Sequence, residues 1–182
     1  MPAPAIKTKR LFLRQWTDDD LMQFAVMNAD PEVMEYFPAL LSTEESNKLA
    51  ERIRTELQEK EYGFWAVEIQ EGASFIGFIG LHRANFDAPF CPCVEIGWRL
   101  TKEQWGKGYA TEGAKAALDY AFSNLQLPEV LSFTAEVNKR SQKVMKKIGM
   151  KHDPSGNFDH PMVPDALPIK PHVLYRLKNP HL

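Results

Sequence analysis

The sequence predicts an α/β (α+β) chain, a mixed, mostly antiparallel sheet with helices on both faces. Three observations predict it. Segments with a period of two, such as Lys9 to Trp16 and Val94 to Leu100, recur along the chain and read as half-buried strands. Stretches of helical period lie between them, the clearest running from Ala110 to Phe122. Phe64 to Gln70 and Phe75 to Arg83 are joined only by Glu71-Gly72-Ala73-Ser74, a hairpin spacing that makes neighbouring strands antiparallel.

Taken in order, Lys9 to Trp16 alternates Leu11 and Leu13 against Arg10, Phe12 and Arg14 and is the first strand. Thr17 is placed to cap a helix whose first turn, Asp18-Asp19-Asp20, suits the positive end of a helix dipole. Pro31 opens a turn carrying Val33, Met34, Tyr36 and Phe37. Ser42-Thr43-Glu44-Glu45 has capping-box spacing, and Leu49, Ile53 and Leu57 form a stripe down the helix that follows, ending near Gly63. After the hairpin, Asn85 to Pro92 is loop. In Val94 to Leu100, Val94, Ile96, Trp98 and Leu100 share one side. The next helix runs to about Ser123, with Ala110, Ala114, Ala117, Leu118, Ala121 and Phe122 on its buried stripe and Glu112, Lys115 and Asp119 opposite. Val130 to Val137 is a strand. Ser141, Val144, Met145 and Ile148 repeat at helical spacing until Gly149 stops them. Asp153 to Pro171 holds five prolines and little periodicity and reads as loop, and His172 to Lys178 is a last strand.

No repeat or linker divides residues 1–182, which read as one domain of ordinary globular composition, 44% hydrophobic and 25% charged. A net charge of −2 argues against a dedicated nucleic-acid binder. No apolar run reaches the length of a membrane span, and no signal-peptide core is present, so a cytoplasmic protein is expected. Cys91 and Cys93 flank only Pro92, too close for a zinc framework, and read as reduced thiols. No metal is expected.

The richest stretch is Glu103-Gln104-Trp105-Gly106-Lys107-Gly108-Tyr109-Ala110-Thr111-Glu112. It joins a strand to a helix through glycines, which leaves backbone N–H groups and a helix dipole available to a phosphate. A nucleotide-hydrolase loop needs Ser or Thr after its Gly-Lys, and Gly108 stands there. A dinucleotide fingerprint needs Gly or Ala where Thr111 stands. A connection that is glycine-rich for steric reasons alone is the plain alternative.

Beyond those readings, the turn resembles motif A of the GNAT superfamily of acetyl-coenzyme A-dependent N-acyltransferases, Q/R-x-x-G-x-G/A. Gly108 and Ala110 hold its last two fixed positions, and Trp105 replaces the Gln or Arg. That spelling, with Glu95-Ile96-Gly97-Trp98, Asn138-Lys139-Arg140-Ser141 and Val144 to Met150, is similar to the branch that acetylates ribosomal-protein N-termini (alanine or serine). The resemblance covers nearly the whole chain. It implies a V-shaped split between the strand ending at Leu100 and the strand ending at Val137. Acetyl-CoA would be the co-substrate, in a ternary complex with an amine acceptor, in a monomer or homodimer. The implied diphosphate cradle is Gly106, Lys107, Gly108, Tyr109, Ala110 and Thr111, and the rail for the pantetheine arm is Trp98, Arg99 and Leu100. Asn138 and Ser141 are placed against that arm. Lys102, Lys107, Lys139, Arg140 and Lys143 lie where they could meet phosphates, and Tyr36 and Phe37 border the acceptor side.

Acetyl transfer needs a neutral amine, a stabilised oxyanion and a proton for the leaving thiolate. Many superfamily members supply the proton from a Tyr, but Met145 stands there, and the branch suggests Ser141 instead. Glu95 is the first candidate base and Glu136 the second, with His82, His160 and His172 further candidates. An ε-amine of pKa about 10.4 pays roughly 4–5 kcal/mol to be neutral at pH 7, an α-amine near 7.8 only about 1. A site without an evident strong base therefore suits an α-amine of a protein or peptide. A small amine (antibiotic, polyamine or amino acid) and a silent CoA-binding domain are the alternatives.

Overall fold

The computed structural model describes residues 2–72 and 74–182, so Ala73, within the predicted turn, lies outside the described residues. In chain order the elements are β1 (Ile6–Lys7), β2 (Leu11–Arg14), α1 (Asp20–Asn28), α2 (Thr43–Glu59), β3 (Phe64–Ile69), β4 (Ser74–Ala84), β5 (Cys93–Leu100), α3 (Tyr109–Ser123), β6 (Glu129–Ala135), α4 (Lys139–Lys147), β7 (Lys151–His152), β8 (Phe158–Asp159) and β9 (Pro171–Lys178). One sheet runs β1-β2-β3-β4-β5-β6-β9-β7, with β8 on β9. Every neighbouring pair is antiparallel except β5 and β6.

That exception opens the sheet. β4 and β5 stay in register from Gly77↔Leu100 to Ala84↔Cys93, whereas β5 and β6 share the single pair Glu95↔Leu131. One residue on, the Ser132 hydroxyl donates to the Ile96 carbonyl at 2.9 Å. Past that bond the strands diverge, which is the predicted V-shaped split.

Adjacent residues of β4 show the two faces. Phe78 meets Phe24 of α1, ring centroids 6.1 Å apart, on the face covered by α1 and α2. Ile79 points the other way, to α3, where a Cβ on Gly113 would lie only 2.5 Å from its Cδ1, so glycine sets the spacing of helix and sheet. Ala114, Ala117, Leu118, Ala121 and Phe122 of α3 are buried as their spacing predicts. The capping box at Ser42 is present, with Glu45 N–H donating to Oγ and Ser42 N–H donating to the Glu45 carboxylate, and α2 buries Ala50, Ile53 and Leu57.

The acidic run after Thr17 corrects an expectation. α1 has Asp19 at its N-cap with no side-chain cap bond, and Asp20 is only 2% exposed. Asp20 accepts from Arg14 Nη1 and Nη2 at 2.8 and 2.9 Å and from Thr17 N–H at 2.8 Å, while Arg14 Nε reaches Glu68 at 2.8 Å. Burial alone would raise the Asp20 carboxyl, but the bonds from Arg14 and Thr17 hold it below its ordinary value. The stabilisation is therefore present above the carboxyl's unfolded pKa and lost as pH falls through its lowered folded value. Asp20→Asn should cost about 1.5–3 kcal/mol in urea unfolding at neutral pH, because it removes the charge-assisted bonds from Arg14 and leaves that guanidinium with Glu68 alone. A variant as stable as the parent would show the pair to be idle.

β1, β7 and β8, two residues each, are too short to show a period. Between β8 and β9 the proline-rich stretch is ordered, with Val163 and Ile169 buried against Ala135.

Candidate active site

The β5–α3 connection is built to leave amides free. A 3-10 turn, Lys102–Gln104, leads to Gly106 at φ 76° and Gly108 at φ 85°. Both lie in the left-handed region, which glycine adopts without the Cβ penalty. Gly108 is the N-cap of α3 and no side chain caps that end. The first N–H groups of α3 and the positive end of its dipole can therefore hold a diphosphate.

The turn is locked from both sides. Trp105, the residue that departs from the motif, donates its indole N–H to the Leu100 carbonyl at 2.8 Å. On the far side Arg10 donates Nη1 to the Lys107 carbonyl at 2.9 Å and Nε to Glu112 at 2.6 Å, and its guanidinium lies 4.5 Å from the Tyr109 ring centroid. The Thr8 hydroxyl and the Arg10 amide both reach the other Glu112 oxygen, at 2.7 and 2.8 Å. Glu112 is thus a clamp rather than a solvent-facing charge, which corrects the helical-wheel reading. Burial would raise its carboxyl, but the bonds from Thr8 and Arg10 outweigh that and leave it lowered.

Successive residues of a strand turn their backbone groups to opposite neighbours. Because the Ile96 carbonyl faces β6, the N–H and C=O of Trp98 face the open split. Of the proposed rail, Trp98 therefore has free backbone groups, while the Leu100 carbonyl is already taken by Trp105.

Glu95 pairs across the ladder with His82, whose Nδ1 lies 3.3 Å from Glu56 of α2. Glu95, Gly97 and Arg99 therefore share the face covered by α1 and α2 and line a cleft of about 820 Å³ that reaches the α3 N-terminus. Among the described residues no hydrogen bond or ion pair reaches the Glu95 carboxyl, and burial raises it to about 8. Glu136, the second candidate base, falls beyond the end of β6, exposed and outside the cleft lining. His82 stacks on Phe64 at 5.6 Å, and burial lowers its pKa. His160 and His172 pack on each other and on Phe133 at one end of the cleft, and burial takes His160 down to about 4.

Asn138 and Ser141 sit on the opposite wall. Asn138 caps α4, accepting from Ser141 N–H at 3.1 Å and donating to Thr134 Oγ1 at 2.9 Å and to Ser141 Oγ at 3.2 Å. Its side-chain amide therefore positions Ser141 at the first turn of α4. Ser141 Oγ accepts one of those bonds and keeps its own proton to donate. Met145, 1% exposed, fills the tyrosine position with a thioether that cannot give a proton.

The neighbouring cations divide. Lys102 is held by Glu32 at 2.9 Å, Arg140 by Glu35 at 2.7 Å, Lys107 by Gln104 at 2.9 Å and Lys139 by the Glu136 carbonyl at 2.9 Å. Lys143 lines the cleft. Arg140 also stacks on Trp105 at 4.3 Å and on Tyr36 at 5.4 Å, joining α4, the turn and the α1–α2 loop, a role without any local sequence signal. Cys91 and Cys93 are free thiols, and burial raises Cys93 to about 12. Among the described residues no group of three or more His, Cys, Asp or Glu is placed to hold a metal, and no helix is long and apolar enough to cross a membrane.

Residues 10–151 match the acetyltransferase (GNAT) domain family. An uncharacterized N-acetyltransferase, YnaD of Bacillus subtilis, is 31% identical over 149 residues, 81% of this chain and 83% of that protein. The solved acetyltransferase (GNAT family) of Bacillus anthracis superposes with a TM-score of 0.80 at 24% identity, over 97% of this chain and 99% of that one. The same fold is found in the ribosomal-protein-S5-alanine acetyltransferase of Vibrio fischeri, with a TM-score of 0.76 at 16% identity over 97% of both chains. It is found again in the spermidine N-acetyltransferase of Vibrio cholerae, with a TM-score of 0.72 at 19% identity over 94% of this chain and 97% of that one. Fold, family match and sequence relatives agree, and the chain belongs to the acetyltransferase (GNAT) family.

Proposed function

We propose that this acetyltransferase moves the acetyl group of acetyl-CoA to an α-amine of a protein or peptide, by direct attack in a ternary complex within the split of the sheet. The solved neighbours include enzymes named for a ribosomal protein and for a polyamine, so they support the chemistry without choosing the acceptor. Acetyl-CoA and free thiols suit a reducing compartment, and we place the reaction in the cytoplasm.

The observation that carries the acceptor reading is the place of Glu95, on the cleft-facing side of β5 where the sheet opens and without a cation paired to it, so that burial raises its carboxyl towards the range of an α-amine. An α-amine titrates at about 7.7–8.0, so proton transfer from it to Glu95 is close to balanced. An ε-amine at about 10.4 would make the same transfer uphill by about 3 kcal/mol.

The residues present fit the co-substrate. The uncapped α3 N-terminus and the Gly106–Thr111 amides would hold its diphosphate, and the free Trp98 backbone would pair with its arm. Glu95 takes the proton that the ammonium must lose before its nitrogen can attack and passes it to solvent, and it takes the second N–H proton as the N–C bond forms. The Trp98 N–H is aimed into the split, where it donates to the carbonyl oxygen as charge builds there. As the C–S bond breaks, Ser141 gives its hydroxyl proton to the departing sulfur and regains one from solvent. Asn138 holds that hydroxyl in place.

Release of free thiol from acetyl-CoA, followed with α-amine peptides, ε-amine peptides with blocked termini and polyamines, tests the reading. Turnover confined to ε-amines or polyamines would overturn it. Ser141→Ala should lower kcat by about 100-fold, the weaker end of the range for general acid catalysis, with acetyl-CoA affinity nearly unchanged. An unaltered kcat would remove Ser141 from the reaction.

A further inference from the structure

On the cleft-facing side of the sheet α1 packs on β4 and α2 on β3, whereas the strands beyond the split are covered by rings. Phe133 of β6 is surrounded there by Phe86 and Phe90 of the β4–β5 loop, Phe158 of β8, His160 and His172, with centroids between 5.5 and 6.4 Å from its own. Five rings still leave Phe133 only half-buried, and with His160 and His172 it lines the cleft. Met162 of the β8–β9 segment and Phe37 of the α1–α2 loop line it too, 76% and 38% exposed. This apolar wall begins beside the candidate base. Glu95 and Leu131 are the register partners of β5 and β6, so Phe133, two residues and about 6.6 Å further along β6, points to the same face. On β5 itself the Phe64 ring covers Gly97, 3.3 Å from where a Cβ would stand.

We propose that the acceptor carries an apolar side chain, aromatic or large aliphatic, on the carbon that bears its amine, and that Phe133, His160 and Met162 form the seat for it. This rests on the acetyl-transfer reading above and names the class of acceptor within it. Apolar surface left wet next to Glu95 is covered when such a side chain arrives, and its burial favours binding in the orientation that points the amine at the carboxylate. A ring also gains the edge and face contacts that aromatic pairs prefer. The charges nearby leave no place for an ionic group. Burial holds both imidazoles below their ordinary pKa, so they are neutral at pH 7. Lys170, the cation beside His160, is taken up by Asp165 at 2.8 Å and by the Val163 carbonyl at 2.9 Å. Among the described residues the only acids lining the cleft are Glu56, engaged by His82, and Glu95 itself. A lysine side chain or a polyamine would therefore bring a second cation to a wall that holds no anion for it. If the rings served only to pin the two loops to the sheet, Phe133 would be covered on its cleft side as well.

The same apolar group is offered by the first residue of a peptide and by a free α-amino compound. Thiol release from acetyl-CoA by the wild-type protein tests the seat and separates the sources. The acceptors are tripeptide amides in which only the first residue changes, and the single-residue amides of the same set. Rates are compared at about pH 9, above the range where α-amines titrate, so that differences in basicity do not set the order. Phe or Leu in first place should exceed Ala by about 30-fold in kcat/KM, the effect of burying a side chain of that size, and Lys or Glu should not exceed Ala. Tripeptides that outrun the single-residue amides identify a peptide as the source, and the reverse identifies a small amine. Phe133→Ala should bring the Phe-to-Ala ratio close to one, whereas damage to the fold would lower both acceptors alike. Met162→Glu, at an exposed position, should raise Lys relative to Phe. Wild-type protein that turns over Gly, Ala or Ser in first place as fast as Phe and Leu, or that favours Lys or Glu, would overturn the proposal and leave α-amine transfer standing. That arm needs no variant to fold. A Phe133→Ala protein that keeps the wild-type ratio would overturn it too. Thiol release with ε-amines or polyamines alone, or with no amine, would instead overturn the α-amine reading and this inference with it.

Discussion

Gly108→Glu should abolish acetyl-CoA binding, raising the Kd by more than about 100-fold, because a carboxylate is set against a diphosphate at a helix end that no side chain caps. The backbone argues in the same direction. At φ 85° a side chain adds about 1–2 kcal/mol of strain. The new Cβ would also stand 3.4 Å from Arg10 Nη2, beside the clamp on Glu112. Gly108→Ala separates the effects, since it carries the strain and bulk without the charge and should weaken binding less. Calorimetry with acetyl-CoA, on protein whose urea unfolding is first checked, measures both. Unchanged affinity in Gly108→Glu would mean that the diphosphate does not lie on α3.

Glu95→Gln should lower kcat by about 1,000-fold near pH 8, within the range for loss of a positioned general base. The sign of the pH effect follows from the raised carboxyl. With a folded pKa of about 8, the basic form is scarce at pH 6 and grows through pH 8, so wild-type kcat should rise across that interval and level off above it. Glu95→Gln should lose that rising limb. The same shift makes charging Glu95 a cost to folding: an acid raised in the native state binds its proton more tightly there than when unfolded. Its effect on stability therefore becomes unfavourable as pH climbs from the unfolded value towards about 8. Glu95→Gln should consequently gain stability relative to wild type at alkaline pH while losing activity, a combination that general damage to the fold would not produce. A flat wild-type pH response would remove Glu95 from proton transfer.

What the sequence shows of this molecule follows the range of the forces involved. Strand alternation, the stripe of α3, the capping box at Ser42 and the glycine turn depend on residues within a few positions of one another, and each is present as read. Parity along β5 was enough to put Glu95 opposite Val94 and Ile96. The raised carboxyl was not legible, because its cause is burial beneath α1 and α2. Glu136 failed as a candidate because β6 ends one residue before it, and strand ends are poorly marked by periodicity. The Arg10–Glu112 clamp joins residues 102 positions apart, and Arg140 reaches Glu35 across 105, separations at which no spacing rule operates. Asp20 misled for a related reason. Three acids in a row fit a helix dipole, but the third had an arginine partner six residues back that only the β2–α1 corner brings close.

The proposed acetyl transfer requires the free amides of α3 to grip the diphosphate while the thioester lies in the opening between β5 and β6. A crystal structure of the protein with CoA tests it most directly. Diphosphate oxygens should lie within hydrogen-bond reach of the Gly106–Thr111 amides, roughly 2.7–3.2 Å, with the pantetheine arm along Trp98 and the sulfur between Glu95 and Ser141. Diphosphate bound elsewhere, with the amino end of α3 facing solvent or closed over by side chains, would contradict it.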